Sequence, residues 1–209
     1  MEKKIQEILA CRGKACIQDP RYRRAAVLIP LFKKNGEYHI LLTRRTDQVA
    51  HHKGQISFPG GRQDKKDKDL LATALREARE EMGIEEKHVR ILGELDDICT
   101  VSTDFCVSPF VALLPYPYPY KINRQEIEEV IEVPLSELLD SRRFRQELFE
   151  KDGQAFPVYF YQHKDHTIWG ATARILKQLL DLLPEEDKKN LRKKPQEPPS
   201  RHHDSEDMA

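Results

Sequence analysis

The sequence predicts an α/β fold, and two local patterns support that prediction. Asn35-Gly36 lies between the apolar runs 25–32 and 38–43, and Asn-Gly between two such runs is the strongest short signal for a β-hairpin. From 69 to 82, apolar residues recur at helical spacing, and Gly83 follows where a helix commonly ends. Strands and an amphipathic helix together indicate a sheet packed against helices.

Further helices and strands are predicted on both sides of this unit. In chain order they are a helix over 3–10, strands over 89–95, 107–114 and 158–162, a short helix opening at Pro134, and a last helix over 169–183. The connection 46–68 contains glycines, a proline and many charges, and it is longer than an ordinary connection. It therefore indicates either a functional loop or disorder.

Length and composition favour one domain with flanking segments. The chain has 209 residues, enough for one domain of about 100–200 residues with a sizeable core. We expect an N-terminal helix and lead-in over 1–23 and the domain over 24–183. Residues 184–209 are mostly charged residues and proline, so they bury too little apolar surface to offset ordering entropy, and a disordered tail is expected.

Charge and cysteine content exclude several classes of protein. Lys+Arg and Asp+Glu number 35 each, so no global basic field favours nucleic acid as a partner. No apolar run approaches the roughly 20 residues that a membrane helix needs, so no membrane association is expected. The four cysteines, at 11, 16, 99 and 106, lack the spacing of a zinc site and fit free thiols in a reducing, cytoplasmic location.

Three glutamates at the end of the helix over 69–82 predict a metal site. Glu77, Glu80 and Glu81 lie at i, i+3 and i+4, which places them on one helix face. Crowded carboxylates resist ionisation unless a cation enters, and hard oxygen ligands favour Mg²⁺ or Mn²⁺ over zinc. Such a helix can also be merely a solvated surface. The preceding pair Gly60 and Gly61 favours a site, because glycines let backbone approach a phosphate or a metal closely.

This segment resembles the second half of the Nudix box at every fixed position: Arg76-Glu77-Ala78-Arg79-Glu80-Glu81-Met82-Gly83-Ile84. The first half departs from the pattern. Counting back from Arg76 places Lys68 where the box has glutamate, whereas alignment on Gly61 places Asp67 at the acidic position. The resemblance implies a Nudix-type α/β/α sandwich with a mixed sheet and a catalytic loop-helix-loop.

The stretches 41–46, 52–61 and 168–176, together with the offset at Asp67, resemble the coenzyme A diphosphatase subfamily of Nudix hydrolases. Ala50 departs from that resemblance, since arginine is frequent there. The resemblance implies metal-dependent hydrolysis of coenzyme A or its thioesters to 3′,5′-ADP and 4′-phosphopantetheine or its acylated form.

The same resemblance implies roles for the residues of the box. Glu77 and Glu81 would be the firmest metal ligands, Glu80 a further ligand or the general base, and Arg76 would orient a glutamate. Glu128 and Glu129, expected in a loop, are alternative bases.

Cationic residues upstream of the box are candidates for binding the substrate phosphates. They are Arg44, Arg45, His51, His52 and Lys53, and arginine and lysine commonly pair with phosphate oxygens. The backbone at Gly60 and Gly61 is expected beside them. A solvated strand end is the competing interpretation for any one of these side chains.

Two other functions stay open at this stage. One is Nudix hydrolysis of ADP-ribose, a dinucleoside polyphosphate or an oxidised nucleotide. The other is a non-catalytic binding module on the same fold, since fold alone does not establish activity. The retention of all three glutamates favours an enzyme. A small-molecule nucleotide is the expected partner, and homodimer formation is left open.

Overall fold

The computed structural model describes residues 1–46, 54–100, 103–151 and 153–193. Ala50, His51, His52, Lys53 and the segment 194–209 lie outside the described residues. Within the described residues, no helix is both long enough and apolar enough to span a membrane. All four cysteines are free thiols.

The described residues form five α-helices and eleven β-strands. The helices are α1 (Glu2–Cys11), α2 (Leu70–Met82), α3 (Leu135–Leu138), α4 (Gly170–Leu182) and α5 (Glu185–Arg192). The strands are β1 (Arg23–Lys34), β2 (Glu37–Arg45), β3 (Ile56–Ser57), β4 (Gly60–Arg62), β5 (Arg90–Glu94), β6 (Ile98–Cys99), β7 (Phe105–Leu113), β8 (Ile127–Pro134), β9 (Phe144–Lys151), β10 (Gln154–His163) and β11 (His166–Trp169).

An eight-stranded mixed sheet organises the fold around β1. The first half of β1 pairs antiparallel with β4, through Ala25↔Arg62 and Val27↔Gly60. The second half of β1 pairs antiparallel with β2. The other edge of β1 pairs in parallel with β7, which also pairs with β5 and β6. β2 continues the sheet to β3 and β8. A separate three-stranded antiparallel sheet contains β9, β10 and β11.

Helices cover both faces of the mixed sheet. Successive side chains of β1 point to opposite faces, and because the strand is apolar on both faces, each face packs against helices. On one face, β1 and α2 pack through Ala26, Leu28, Phe32, Ala74, Ala78 and Met82. On the other face, β1 meets α1 and α4 through Ala25, Ile29, Leu31, Leu9, Ile175 and Leu176. The predicted α/β/α sandwich with a mixed sheet is therefore confirmed.

Local signals at both ends of α2 explain why the predicted helix forms. The Asp69 side chain accepts a hydrogen bond from the Ala72 N–H and caps the first turn. Gly83 adopts a left-handed conformation with φ 68°, and its N–H donates to the carbonyls of Ala78 and Arg79. A Cβ at Gly83 would lie 2.7 Å from the Lys121 Cβ.

The connection over 46–68 and the expected tail are among the segments that differ from the sequence prediction. Residues 46–68 include β3 and β4. The sequence did not predict β4, because its three residues include two glycines and have little strand preference of their own; pairing with β1 holds them in a strand. The expected tail begins instead with α5, whose Leu191 is buried. Acidic residues in the first turn favour this helix, and the Arg192 Nε donates to the Leu139 carbonyl at 3.3 Å.

We expect Gly83→Ala to lower the free energy of unfolding by about 1–3 kcal/mol, because alanine at this left-handed position is strained and meets Lys121. Urea denaturation measures the change. Gly13→Ala is the matched control, since nothing lies within 4 Å of a Cβ at Gly13, and its effect should stay within about 0.5 kcal/mol. Equal effects of the two substitutions would contradict this account.

Candidate active site

The C-terminal half of α2 lies against β4, where two glycines permit a close approach. A Cβ at Gly61 would stand 2.7 Å from a carboxylate oxygen of Glu77, closer than real Cβ contacts allow. At Gly60, the backbone N–H donates to the Glu81 carboxylate at 3.2 Å. The glycine pair therefore brings strand backbone into direct contact with two of the three candidate glutamates.

Glu81 is a buried carboxyl group with 1% of its surface exposed. Burial, together with the charges of Glu77 and Glu126, raises its pKa to about 8. Arg45 opposes this shift, and its Nη1 lies 3.1 Å from Glu81 Oε1. At neutral pH the carboxyl therefore retains a large protonated fraction, which an added cation would reduce.

Glu77 shares this environment, whereas Glu80 does not. Burial raises the pKa of Glu77, and the positive charge of Arg76, whose Nη1 lies 2.8 Å away, lowers it. Glu80 is half-exposed and pairs with the same Arg76 Nη1 at 3.0 Å. The structure thus couples Glu77 electrostatically to Glu81 and leaves Glu80 at the surface.

Glu126 is a third acidic group at the site, and sequence reasoning missed it. Its negative charge raises the pKa of both Glu77 and Glu81, and it lies 3.7 Å from Arg45 Nη2. Its position follows from the pairing of β2 with β8: just beyond the paired residues, the Thr46 N–H donates a hydrogen bond to the Glu126 carbonyl. No local pattern in the sequence distinguishes Glu126 from its acidic neighbours.

Asp67, and not Lys68, occupies the acidic position before α2. Arg76 donates to both Asp67 carboxylate oxygens, from Nε at 2.9 Å and Nη2 at 3.0 Å, and Thr73 Oγ1 donates at 3.0 Å. Hydrogen bonding from Arg76 lowers the pKa of Asp67 to about 2. Lys68 is exposed.

The two candidate arginines of β2 have different surroundings. Arg45 faces Glu81 and Glu126, as described above. Arg44 pairs instead with Glu128 at 3.1 Å and Glu129 at 3.2 Å. These two glutamates belong to β8, so the prediction that they lie in a loop is wrong; the strand forms because β8 pairs with β2.

A cavity of about 690 Å³ opens beside the glycine pair. Arg45, Gly60 and Gly61 line it at the end next to the carboxylates. The rest of its wall includes residues of β1, β3, β7 and α4 and of the loops beside them; it is largely apolar, with Phe58 and Ile175 among the lining side chains. Such a combination of apolar wall and few polar groups is typical of small-molecule sites.

Comparison with known proteins decides the family. The family model of the NUDIX domain matches residues 21–152. A Nudix hydrolase named NudL from Photorhabdus laumondii subsp. laumondii is 43% identical over 157 residues, which cover 75% of this chain and 83% of that protein. The chain belongs to the Nudix hydrolase family.

A second relative carries the same family name. A Nudix hydrolase NudL from Yersinia pestis (strain Pestoides F) is 40% identical over 75% of this chain and 78% of its own length. Among solved structures, a C. elegans Ap4A hydrolase binary complex aligns with a TM-score of 0.47 and 21% identity, over 56% of this chain and 83% of that chain. The Nudix domain of Shewanella oneidensis NrtR complexed with ADP ribose gives a TM-score of 0.44 and 19% identity, over 64% and 84% respectively.

Nudix hydrolases generally use divalent metal ions, and the donor chemistry of this site fits such an ion. Burial raises the pKa of Glu77 and of Glu81, so a cation would stabilise their charged forms. Among the described residues, however, no three acidic or histidine side chains already converge closely enough to hold a metal. Arg45 lies against Glu81 and Glu126 and so neutralises part of the charge that a cation would otherwise meet there.

We expect Asp67→Asn to destabilise this Nudix hydrolase by about 1–3 kcal/mol at pH 7, because it removes charge-assisted hydrogen bonds from Arg76. The native pKa of Asp67 lies below its ordinary value of 3.8. Its contribution is therefore complete above about pH 4–5 and declines as the pH falls from there towards about 2. Urea denaturation of the wild type and the variant between pH 7 and pH 3 should show the difference shrinking.

The control for that experiment is Lys68→Ala, which removes an exposed neighbour and should change stability by less than about 0.5 kcal/mol. A loss from Asp67→Asn no larger than that from Lys68→Ala would contradict a stabilising ion pair between Asp67 and Arg76.

Proposed function

We propose that the chain hydrolyses the diphosphate bond of coenzyme A or its thioesters. The products are 3′,5′-ADP and 4′-phosphopantetheine or its acylated form. The observation that carries the hydrolysis is the pair of buried Glu81 and partly buried Glu77, whose pKa values are raised by burial, beside a glycine-containing strand that lines the cavity. The choice of coenzyme A is supported by the resemblance over 41–46, 52–61 and 168–176.

Glu77, Glu81 and Glu126 would hold the divalent ion, Mg²⁺ or Mn²⁺, since all three supply carboxylate oxygens. When bound, such an ion lowers the pKa of a water molecule and neutralises charge that develops on the phosphate oxygens. Glu80 is a further ligand or the base that accepts the proton from water. It is half-exposed and pairs with Arg76 at 3.0 Å, at the solvent side of the carboxylate cluster.

Several groups of the chain hold the carboxylates in place before any substrate arrives. The Gly60 N–H fixes one oxygen of Glu81. Arg76 contacts Glu77 and is itself held by Asp67 and by the Arg62 carbonyl at 3.1 Å. Arg76 is thus a positioning residue, which links the loop before α2 to the carboxylate face of the helix.

Arg45 is the described cation best placed to bind the scissile diphosphate. It lines the cavity and contacts Glu81 and Glu126. A substrate phosphate in the cavity could bind the Arg45 guanidinium in place of these carboxylates, which could then bind the metal ion. Arg44 is already neutralised by Glu128 and Glu129, which weakens its case as a substrate ligand. His52 and Lys53 remain candidates from sequence.

Incubation with coenzyme A and Mg²⁺, followed by mass analysis of the products, tests the reaction. We expect 3′,5′-ADP and 4′-phosphopantetheine to appear with Mg²⁺ and to be absent when EDTA is added. ADP-ribose is assayed in parallel under the same conditions. Faster hydrolysis of ADP-ribose than of coenzyme A would refute the proposed substrate while leaving diphosphate hydrolysis in place.

Replacing Glu81 by glutamine keeps the size of the side chain and removes its negative charge. We expect kcat for coenzyme A to fall by more than about a hundredfold, because changes even to groups that merely support metal ligands cost about 10–100-fold. Glu132→Gln is the matched control, since Glu132 pairs with Lys34 at 2.7 Å, away from the site. Near-normal turnover by Glu81→Gln in Mg²⁺ would exclude Glu81 as a metal ligand.

A further inference from the structure

Two arginines on the wall of the cavity have no acidic partner among the described residues. Arg23 of β1 and Arg62 of β4 both line the cavity and are exposed. Within the described part of the chain, no carboxylate lies within the 4.0 Å ion-pair distance of either guanidinium. Neighbouring arginines differ in this respect: Arg24 pairs with Asp97 at 2.9 Å, and Arg45 pairs with Glu81.

Strand register places the two arginines on the same side of the sheet. Arg62 is the direct partner of Ala25, and Arg23 lies two residues before Ala25 on β1. Side chains two residues apart on a strand point to the same face. Arg23 and Arg62 therefore form one positively charged edge of the cavity.

The remaining cavity lining contains little to neutralise this edge. Asp104 is the one carboxylate among the described lining residues, and it forms no ion pair with either arginine. Beyond the edge, the wall includes Phe58, Phe105 and Ile175. A wall of this kind suits a ligand with a partly apolar body and an anionic group at a defined position.

The positive edge is separate from the carboxylates but close to them. Along β4, Gly61 faces Glu77, while Arg62, the next residue, points to the opposite face, which lines the cavity. Gly60 contacts Glu81, and Arg62 lies about 7 Å further along the strand, at about 3.3 Å per residue. Arg45 contacts Glu81 and lines the same cavity as Arg62, so one nucleotide-sized ligand can extend from Arg45 to the two arginines.

We propose that Arg23 and Arg62 bind a phosphate monoester of the substrate that is distinct from the scissile diphosphate. This site would select diphosphate substrates that carry such a phosphate, as coenzyme A does at its 3′ position, over counterparts that lack it. The inference rests on the proposed function only for the position of the diphosphate. Binding of the second phosphate does not require hydrolysis.

Calorimetric titration of the full chain with 3′,5′-ADP and with 5′-AMP tests the site directly. We expect the wild type to bind 3′,5′-ADP about 10–100-fold more tightly, as charge-assisted hydrogen bonds to phosphate would give. Arg62→Ala and Arg23→Ala should each remove most of that preference and leave AMP binding within about twofold. Arg62→Lys should restore part of the preference, because it keeps the charge but loses bidentate geometry.

Arg145→Ala is the matched control, because it removes one exposed arginine from β9, and it should keep the wild-type preference. Equal binding of the two nucleotides by the wild type would overturn the inference. Retention of the preference by both Arg62→Ala and Arg23→Ala would also overturn it.

Hydrolysis assays with coenzyme A and 3′-dephospho-coenzyme A separate this inference from the proposed function. We expect Arg62→Ala to raise KM for coenzyme A by about tenfold or more and to leave KM for the dephospho compound unchanged. If neither compound is cleaved while the 3′,5′-ADP preference holds, the proposed function fails and the phosphate site stands. If both are cleaved equally well and Arg62→Ala alters neither KM, the phosphate site fails and hydrolysis stands.

Discussion

The close approach of β4 to α2 is the contact on which the rest of the site depends. It requires glycine, because any side chain at Gly61 would overlap the Glu77 carboxylate, and it supplies the Gly60 N–H that holds Glu81. β4 is itself held by its pairing with β1. The central strand of the sheet therefore determines where the helix carboxylates lie relative to the cavity on the opposite face.

This arrangement keeps a carboxyl group in a place that is unfavourable for its charge. Burying an ionised carboxylate is costly unless it is paired and hydrogen-bonded. Arg45 and the Gly60 N–H compensate only in part, since the pKa of Glu81 remains about 8. The folded chain thus holds Glu81 and its neighbours Glu77 and Glu126 in an arrangement that a divalent cation would stabilise. A cation that binds only the folded form would also raise the free energy of unfolding.

What could be predicted from the sequence depended on how local the determining interactions are. The helix α2 was predicted to within a residue, because its determinants, Asp69 and Gly83, lie at its own ends. Glu126 could not be identified, because only the pairing of β8 with β2, over 80 residues apart, brings it to Glu77 and Glu81. The helix α5 was likewise missed: its composition is that of a solvated tail, and Leu191 is buried only by tertiary packing.

The offset before α2 shows how a loop can change length while its electrostatic constraint is kept. Arg76 has a fixed position on the helix, so whichever carboxylate reaches its Nε and Nη2 occupies the acidic position, whatever the residue count from the glycines. The extra residue is taken up in a turn, where the Asp67 N–H donates to the Asp64 carbonyl and the Asp64 N–H donates to the Asp67 side chain. The loop can therefore tolerate an inserted residue. The ion pair with Arg76 defines where the carboxylate must lie, and the turn needs only to place a carboxylate at that point.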